Sequence, residues 1–178
     1  MAKPGKKMGR REKPEFDQKL LNLARVTRVV KGGRRFRFRA TLVIGNRRGK
    51  VGVGVAKGSD VSDAIKKAYN DAKKNMVSIE LLNGTITHDV AAKLGSARVL
   101  LKPASLGRGI IAGGAVRSVV DLLGVKDIVS KSLGASNPLN VARVTVKALL
   151  MLKAPRVPKA PIDTVNETSE ATKAVSAA

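Results

Sequence analysis

The sequence predicts an α+β protein of two small α/β sandwich units, the first a three-stranded sheet with one helix. Three observations predict it. Phe36, Phe38, Ala40, Leu42 and Ile44 alternate with Arg35, Arg37, Arg39 and Thr41, the period of two that sends successive strand side chains to opposite faces. After Gly58 the spacing becomes that of an amphipathic helix, with Val61, Ala64, Ile65, Ala68, Tyr69 and Ala72 along one side. Beyond Asn83-Gly84, a turn dipeptide, a second set of strand and helix signals begins.

In chain order, residues 1–15 hold Gly, Pro and Lys without periodicity and read as a flexible basic arm. Residues 16–80 form the first unit. Between Phe16 and Val30 the pattern is mixed, because Leu20, Ala24, Val26 and Val30 share parity with polar Gln18, Asn22 and Arg28. A strand is therefore expected over the second half of that stretch only. Lys31-Gly32-Gly33-Arg34 supplies the glycines of a tight hairpin. The alternating strand follows, its apolar row in a core and its arginines outside. Gly45-Asn46-Arg47-Arg48-Gly49 is a turn, and Val51, Val53 and Val55 then alternate with Gly52, Gly54 and Ala56 in a strand with one nearly bare face. Ser59 or Asp60 caps the helix, and Lys66, Lys67, Lys73 and Lys74 lie on its outer side.

Residues 84–153 form the second unit. Strands are expected at Thr85–Val90, Ala97–Lys102 and Asp127–Ser132, with a glycine-rich loop from Pro103 to Gly114. A helix runs from about Ala115 to Leu123 and closes at Gly124. Asn137-Pro138 opens another, an N-cap followed by Pro at the first helical position, whose apolar face is Leu139, Ala142, Val146, Leu149 and Leu150. Residues 154–178, broken by Pro155, Pro158 and Pro161, read as a mobile tail.

Charge narrows the function. Over 178 residues the chain carries 35 Lys and Arg against 13 Asp and Glu, a net charge of +22, with 43% apolar residues to build a core. The excess is localised: residues 18–59 hold twelve bases and no acid. Such a surface repels itself, and a polyanion relieves the repulsion while releasing its condensed counterions. Nucleic acid is the partner this predicts. The absence of cysteine excludes disulfides and thiolate chemistry, and a single histidine, His88, excludes a multi-histidine metal cluster. No apolar run approaches the ~18 residues of a membrane span, so no membrane partner is expected. The basic N-terminus lacks the apolar stretch of a secretion signal, and a cytoplasmic protein is expected.

Catalytic motifs are weak throughout. Lys57-Gly58-Ser59 inverts the Gly-Lys-Ser/Thr order of a P-loop, and the Gly107-Arg108-Gly109 loop lacks both the serine pair and the carboxylate of the small-metabolite kinases it faintly resembles. His88-Asp89 has no Ser or Cys to serve, and nothing in the sequence pairs Asp121 or Asp127. No enzyme, metal, cofactor or small-molecule substrate is expected. With 2% aromatic residues, base stacking is a minor resource; Phe36, Phe38 and Tyr69 are assigned to the core. The binding candidates are therefore Arg25, Arg28, Lys31, Gly32, Gly33, Arg34, Arg35, Arg37, Arg47, Arg48, Lys50 and Lys57 near the hairpin tips. Gly107, Arg108 and Arg117 form a second region. Arginine dominates, which suits forked phosphate contacts.

Four stretches in order and at matching spacing, Val30-Lys-Gly-Gly-Arg-Arg-Phe-Arg-Phe38, Gly49-Lys-Val-Gly-Val-Gly-Val-Ala-Lys-Gly58, Lys102-Pro-Ala-Ser-Leu-Gly-Arg-Gly-Ile-Ile-Ala-Gly-Gly-Ala-Val-Arg117 and Gly134-Ala-Ser-Asn-Pro-Leu-Asn-Val-Ala-Arg143, resemble the bacterial small-subunit ribosomal protein five family. The resemblance covers about residues 16–153. It implies an N-terminal domain related to the double-stranded-RNA-binding domain, and a C-terminal mixed sheet with two helices and a left-handed βαβ crossover. It further implies binding to small-subunit rRNA, contacts with ribosomal proteins four and eight, a place along the channel by which mRNA enters, and an influence on decoding accuracy. The hairpin at Val30–Arg34 matches the family's spectinomycin-associated loop, and Gly107 and Arg117 match the region near ribosomal protein four. The expected function is that of a structural, RNA-binding constituent of the small ribosomal subunit. A free basic RNA chaperone or regulator is the alternative.

Overall fold

A computed structural model describes residues 15–153. Both expected tails, apart from residue 15, lie outside the described residues. The first sheet contains β1 (Asp17–Val30), β2 (Gly33–Gly45), β3 (Lys50–Gly58) and β4 (Met76–Ser78), side by side in that order and antiparallel. The sheet thus has four strands, not three; β4 is three residues long and too short to display an alternation. Helix α1 (Val61–Lys74) packs on one face. The second sheet is mixed, in the order β5 (Val90–Leu94), β6 (Ala97–Pro103), β8 (Ile128–Gly134) and β7 (Ile110–Ile111). Only β7 and β8 run parallel, linked through α2 (Gly114–Leu123). Helix α3 (Pro138–Leu150) completes the fold, with Asn137 Oδ1 accepting from Leu139 N at 3.1 Å as its cap.

Two strand expectations need correction. β1 occupies the whole of Asp17–Val30, because the register shifts between Leu20↔Leu42 and Asn22↔Thr41, leaving Leu21 as an extra residue. That bulge inverts the parity of the strand and scrambles the alternation. Thr85–Val90 is not a strand. Leu82 and Thr85 instead bridge across the Asn83-Gly84 turn, and the Thr85 and Thr87 hydroxyls donate to the carbonyls of Asp127 and Lys153.

The core divides on either side of the first sheet. On one side Phe16, Ala40, Leu42 and Ile44 meet Ala64, Ala68 and Ala72 of α1. The bare face of β3 makes this contact possible: a Cβ on Gly54 would run into the Ala68 carbonyl and the Ala72 backbone, and one on Gly52 into the Ala72 carbonyl. On the other side Val43 and Val51 join Val116, Val119 and Leu123 of α2, Val141 and Ala148 of α3, and Val99, Leu101 and Ile128 of the second sheet. The layers are therefore α1, first sheet, α2 with α3, second sheet. This corrects the two-faced reading of β2: Thr41 and Val43, on the arginine side, are buried under the second unit, and only the half bearing Arg35 and Arg37 faces solvent.

Backbone contacts lock the layers. Arg47 N donates to Leu122 O and Gly49 N to Leu123 O, each at 2.9 Å, so the β2–β3 turn sits on the carboxyl end of α2. Gly124, at φ +97°, ends that helix where the Arg47 carbonyl leaves no room for a Cβ.

Candidate nucleic-acid interface

β2 pairs with β3 only as far as Phe38↔Gly58, whereas its pairing with β1 continues to Val30↔Gly33. The β1–β2 hairpin thus projects past the third strand as a two-stranded ribbon. Its two-residue turn, Lys31-Gly32, leads into Gly33 at φ +140°, a conformation that favours glycine. An added Cβ on Gly32 would meet nothing within 4 Å, so no neighbour in the fold requires glycine there.

On one face of the ribbon Arg28, Arg35, Arg37 and Lys57 line a groove with Val26 and Thr27. All four cations are exposed. Arg28 stands directly opposite Arg35, and Arg39 directly opposite Lys57. Like charges so placed oppose strand pairing, by a few tenths of a kcal/mol to ~1 kcal/mol each. The ion pairs among the described residues are Arg47–Asp17, Lys67–Asp63 and Lys102–Asp89, none of them in this groove. Arg39, half-buried at the groove's inner end, belongs to the same row and was not among the expected binding residues. Its parity with Arg35 and Arg37 was the available signal.

Arg25 lies on the opposite face of the ribbon, with its guanidinium carbon 3.6 Å from the centre of the Phe36 ring. Phe36 is 44% exposed and so is not a core residue. The α1 layer covers Ala40, Leu42 and Ile44 but does not reach it, and the arginine covers its ring instead.

The hairpin tips do not form one patch. Arg47, Arg48 and Lys50 sit at the other end of β2, a strand of 13 residues, roughly 40 Å from Lys31 and Arg34 at the usual rise. There Asn46 Oδ1 accepts from Arg48 N and Lys50 N at 2.8 and 3.0 Å, and Arg47 Nε lies 2.9 Å from Asp17 Oδ2. The turn's backbone is committed to α2, leaving the Arg48 and Lys50 side chains outward.

Gly107 and Arg108 are exposed in the loop before β7, and Arg117 is exposed in the first turn of α2. Gly107 and Gly109 adopt φ of +85° and +75°. Asp127, expected to be unpaired, is buried and its Oδ1 accepts from Gly109 N at 2.7 Å. The carboxylate at the glycine loop therefore fastens backbone. His88 is half-buried with Nδ1 2.9 Å from Thr87 Oγ1, a local structural pairing.

Comparison with known proteins agrees with this architecture. The family model described as "Ribosomal protein S5, N-terminal domain" matches residues 16–80, and "Ribosomal protein S5, C-terminal domain" matches residues 92–160. Similar proteins include those named "Small ribosomal subunit protein uS5" from Campylobacter jejuni strains 81-176, 81116 and RM1221. Each is 53% identical over 146 residues, which are 82% of this chain and 99% of the relative. Both family segments and near-complete coverage of these relatives lead to one conclusion: the chain belongs to the ribosomal protein S5 family.

Proposed function

We propose that the protein is a structural, non-enzymatic constituent of the small ribosomal subunit that holds ribosomal RNA by neutralising its phosphates. The observation that carries this reading is the groove where Arg28, Arg35, Arg37 and Lys57 converge with no ion-pair partner among the described residues. Phosphates supply the missing counter-charge, and arginine forks suit them in pairs. Lys31, Arg34 and the unencumbered Gly32 extend the contact to the hairpin tip, where a bare backbone allows RNA to approach closely. Gly107, Arg108 and Arg117 make the second RNA-contact region, and Gly107 and Arg117 lie toward ribosomal protein four; ribosomal protein eight and incoming mRNA are further partners. Support of subunit assembly and decoding accuracy follows from holding these components in register. In this reading residues 16–80 are the main RNA-holding unit, and residues 84–153 are the C-terminal unit that carries the Gly107–Arg117 region.

Binding to small-subunit rRNA transcribed in vitro, titrated over KCl concentration, tests the reading. Neutralising about six phosphates gives a slope of log K against log[salt] of very roughly −4 to −5. Replacing Arg28, Arg35 and Arg37 by Gln should make that slope shallower by about 2–3. A slope near zero for the unmodified protein overturns the electrostatic account. Sucrose-gradient sedimentation separates the alternative: near-stoichiometric presence in small subunits supports the ribosomal role, while a mainly free pool supports an RNA chaperone.

A further inference from the structure

Beside the second contact region stands a carboxylate that a phosphate-binding surface does not call for. Residues 81–153 contain three acids, Asp89, Asp121 and Asp127, and Asp127 is the buried one, 5% exposed. Its place follows from the sheet order. Ile128 of β8 pairs with Pro103 of β6 on one side and with Ile110 of β7 on the other. Residues 104–109 therefore arch over the start of β8, with Ser105–Arg108 exposed as the crest and Asp127 at the base. Asp127 Oδ1 accepts from Gly109 N at 2.7 Å, on the returning limb of the arch. Ile128 N donates to Gly109 O at 3.2 Å, so consecutive residues hold both polar groups of Gly109. Asp127 is itself fixed by the turn before it in the chain: its N donates to Gly84 O at 3.2 Å, and its O accepts from Thr85 Oγ1 at 2.7 Å. The same hydroxyl accepts more weakly from Ala104 N, at 3.5 Å, on the outgoing limb.

We infer that Asp127 is the positioning residue of the Gly107–Arg117 contact region, holding the arch in the shape in which Arg108 meets phosphate. The inference rests on the RNA-contact reading of that region and names the residue that prepares it. Gly107 and Gly109, at φ of +85° and +75°, adopt a conformation that glycine reaches readily and leaves as readily. A Cβ on either would meet nothing within 4 Å, so packing does not immobilise them. Within the crest itself Arg108 N donates to Ser105 O at 3.3 Å, a longer bond than the one at Gly109. The clasp at Gly109 is short and charge-assisted, and it comes from a buried carboxylate, so it is the strong hold on the arch. An idle carboxylate here would repel phosphate. Buried and engaged with the Gly109 N–H, Asp127 instead orders the arch before RNA arrives, and the entropy cost of ordering does not fall on the binding step.

Three variants test this on small-subunit rRNA transcribed in vitro: Asp127→Ala, Asp127→Asn and Arg108→Gln/Arg117→Gln. Circular dichroism matching the unmodified protein certifies the fold. The arginine variant tests the region, and should weaken binding with a salt slope shallower by about 1–2. Asp127→Ala removes no cation, so its slope should stay that of the unmodified protein. Its affinity should fall about tenfold, the scale of re-ordering roughly one residue on binding. Amide hydrogen exchange should quicken at Arg108 and Gly109 and stay unchanged across β6 and β8. In Asp127→Asn the amide oxygen still accepts from Gly109 N, and affinity should return toward the unmodified value. A carboxylate acting only as a charge gives the opposite sign: both replacements at 127 then bind more tightly, and that result overturns the inference. Unchanged affinity in Asp127→Ala beside a weakened arginine variant also overturns it, and leaves the RNA reading of the region standing. A slope in Asp127→Ala as shallow as the arginine variant's overturns it as well, because phosphate contacts are then lost and not re-ordered. If the arginine variant binds normally, the RNA reading of the region falls and the inference with it. Where Asp127→Ala does not fold, Thr85→Val takes its place. Without the hydroxyl that anchors the Asp127 carbonyl, affinity should fall at unchanged slope, and unchanged affinity there overturns the inference.

Discussion

Gly54 and Gly32 are held to glycine by different demands. At Gly54 the backbone of α1 occupies the place of a Cβ, so Gly54→Ala must push the helix off the sheet. The expected cost is about 2–3 kcal/mol, read as a lower urea midpoint. At Gly32 the space is open, and Gly32→Ala should leave the midpoint unchanged or raise it slightly. Its effect should instead be a weaker hold on rRNA, because the added methyl stands between backbone and phosphate. Asp60 offers a pH signature. The Ser62 hydroxyl donates to its carboxylate at 2.6 Å, and this bond, then the nearby backbone N–H groups of Val61 and Ser62, hold its pKa below the ordinary value. A depressed carboxyl favours the folded state above the unfolded pKa, and that contribution disappears as pH falls through the folded one. Ser62→Ala should move the Asp60 titration, followed by carboxyl NMR, upward toward the ordinary aspartate value. The glycines of β3 were legible in the sequence as a bare face, since alternation with valine exposes them. The exposure of Phe36 was not, because alternation tells which face a residue takes and says nothing about how far the covering helix extends.

At the scale of elements, the β1–β2 ribbon is the part of the fold with the least intramolecular support. From Val26↔Arg37 to Val30↔Gly33 it has no third strand, and its Arg28–Arg35 pair is repulsive. A two-stranded hairpin alone is marginal in water. Amide hydrogen exchange in the free protein should therefore be fast across Val26–Arg37 and slow across Ala40–Ile44, where α1 and α2 cover both faces. Adding rRNA should slow the ribbon amides selectively; equal protection of both segments in the free protein contradicts this account. Elements with an uninterrupted period, β2, β3, α1 and α3, were readable from sequence. β1 was only half readable because one bulged residue, Leu21, superimposes two opposite parities. β4 and β7 are so short that no periodicity exists to read, and their pairing is set by partners distant in the chain. The same limit applied to the binding residues. Like charges along 18–59 announced the ribbon groove, but that Arg28 faces Arg35 and Arg39 faces Lys57 is set by register alone.

Across the whole molecule, the two sheets share one interior. Val43 and Val51 of the first belong to the same buried cluster as Val99 and Leu101 of the second, with α2 and α3 between them. Polar contacts reinforce this: the turn at Asn46–Gly49 donates two backbone hydrogen bonds to the end of α2, and Ile79 N returns one to Gly49 O at 2.8 Å. Separating the sheets exposes the valine face of the first and leaves these groups without partners, which costs about 1 kcal/mol or more for each group left buried and unmade. The protein should therefore unfold in one cooperative transition, despite two sheets of independent hydrogen-bonding. Gly124 sits at the seam, in a left-handed conformation and against the Arg47 carbonyl. Gly124→Ala is expected to cost about 2–4 kcal/mol, since strain and crowding act together. Residue-resolved NMR in increasing urea checks the coupling. Val43 and Val99 should lose their native signals at the same midpoint in the unmodified protein, and at the same lower midpoint in Gly124→Ala. Two separate midpoints would mean that the sheets fold independently and that the ribbon groove and the Gly107–Arg117 region are not held in fixed relation. A single midpoint makes the interlock what fixes the ribbon groove relative to the Gly107–Arg117 region.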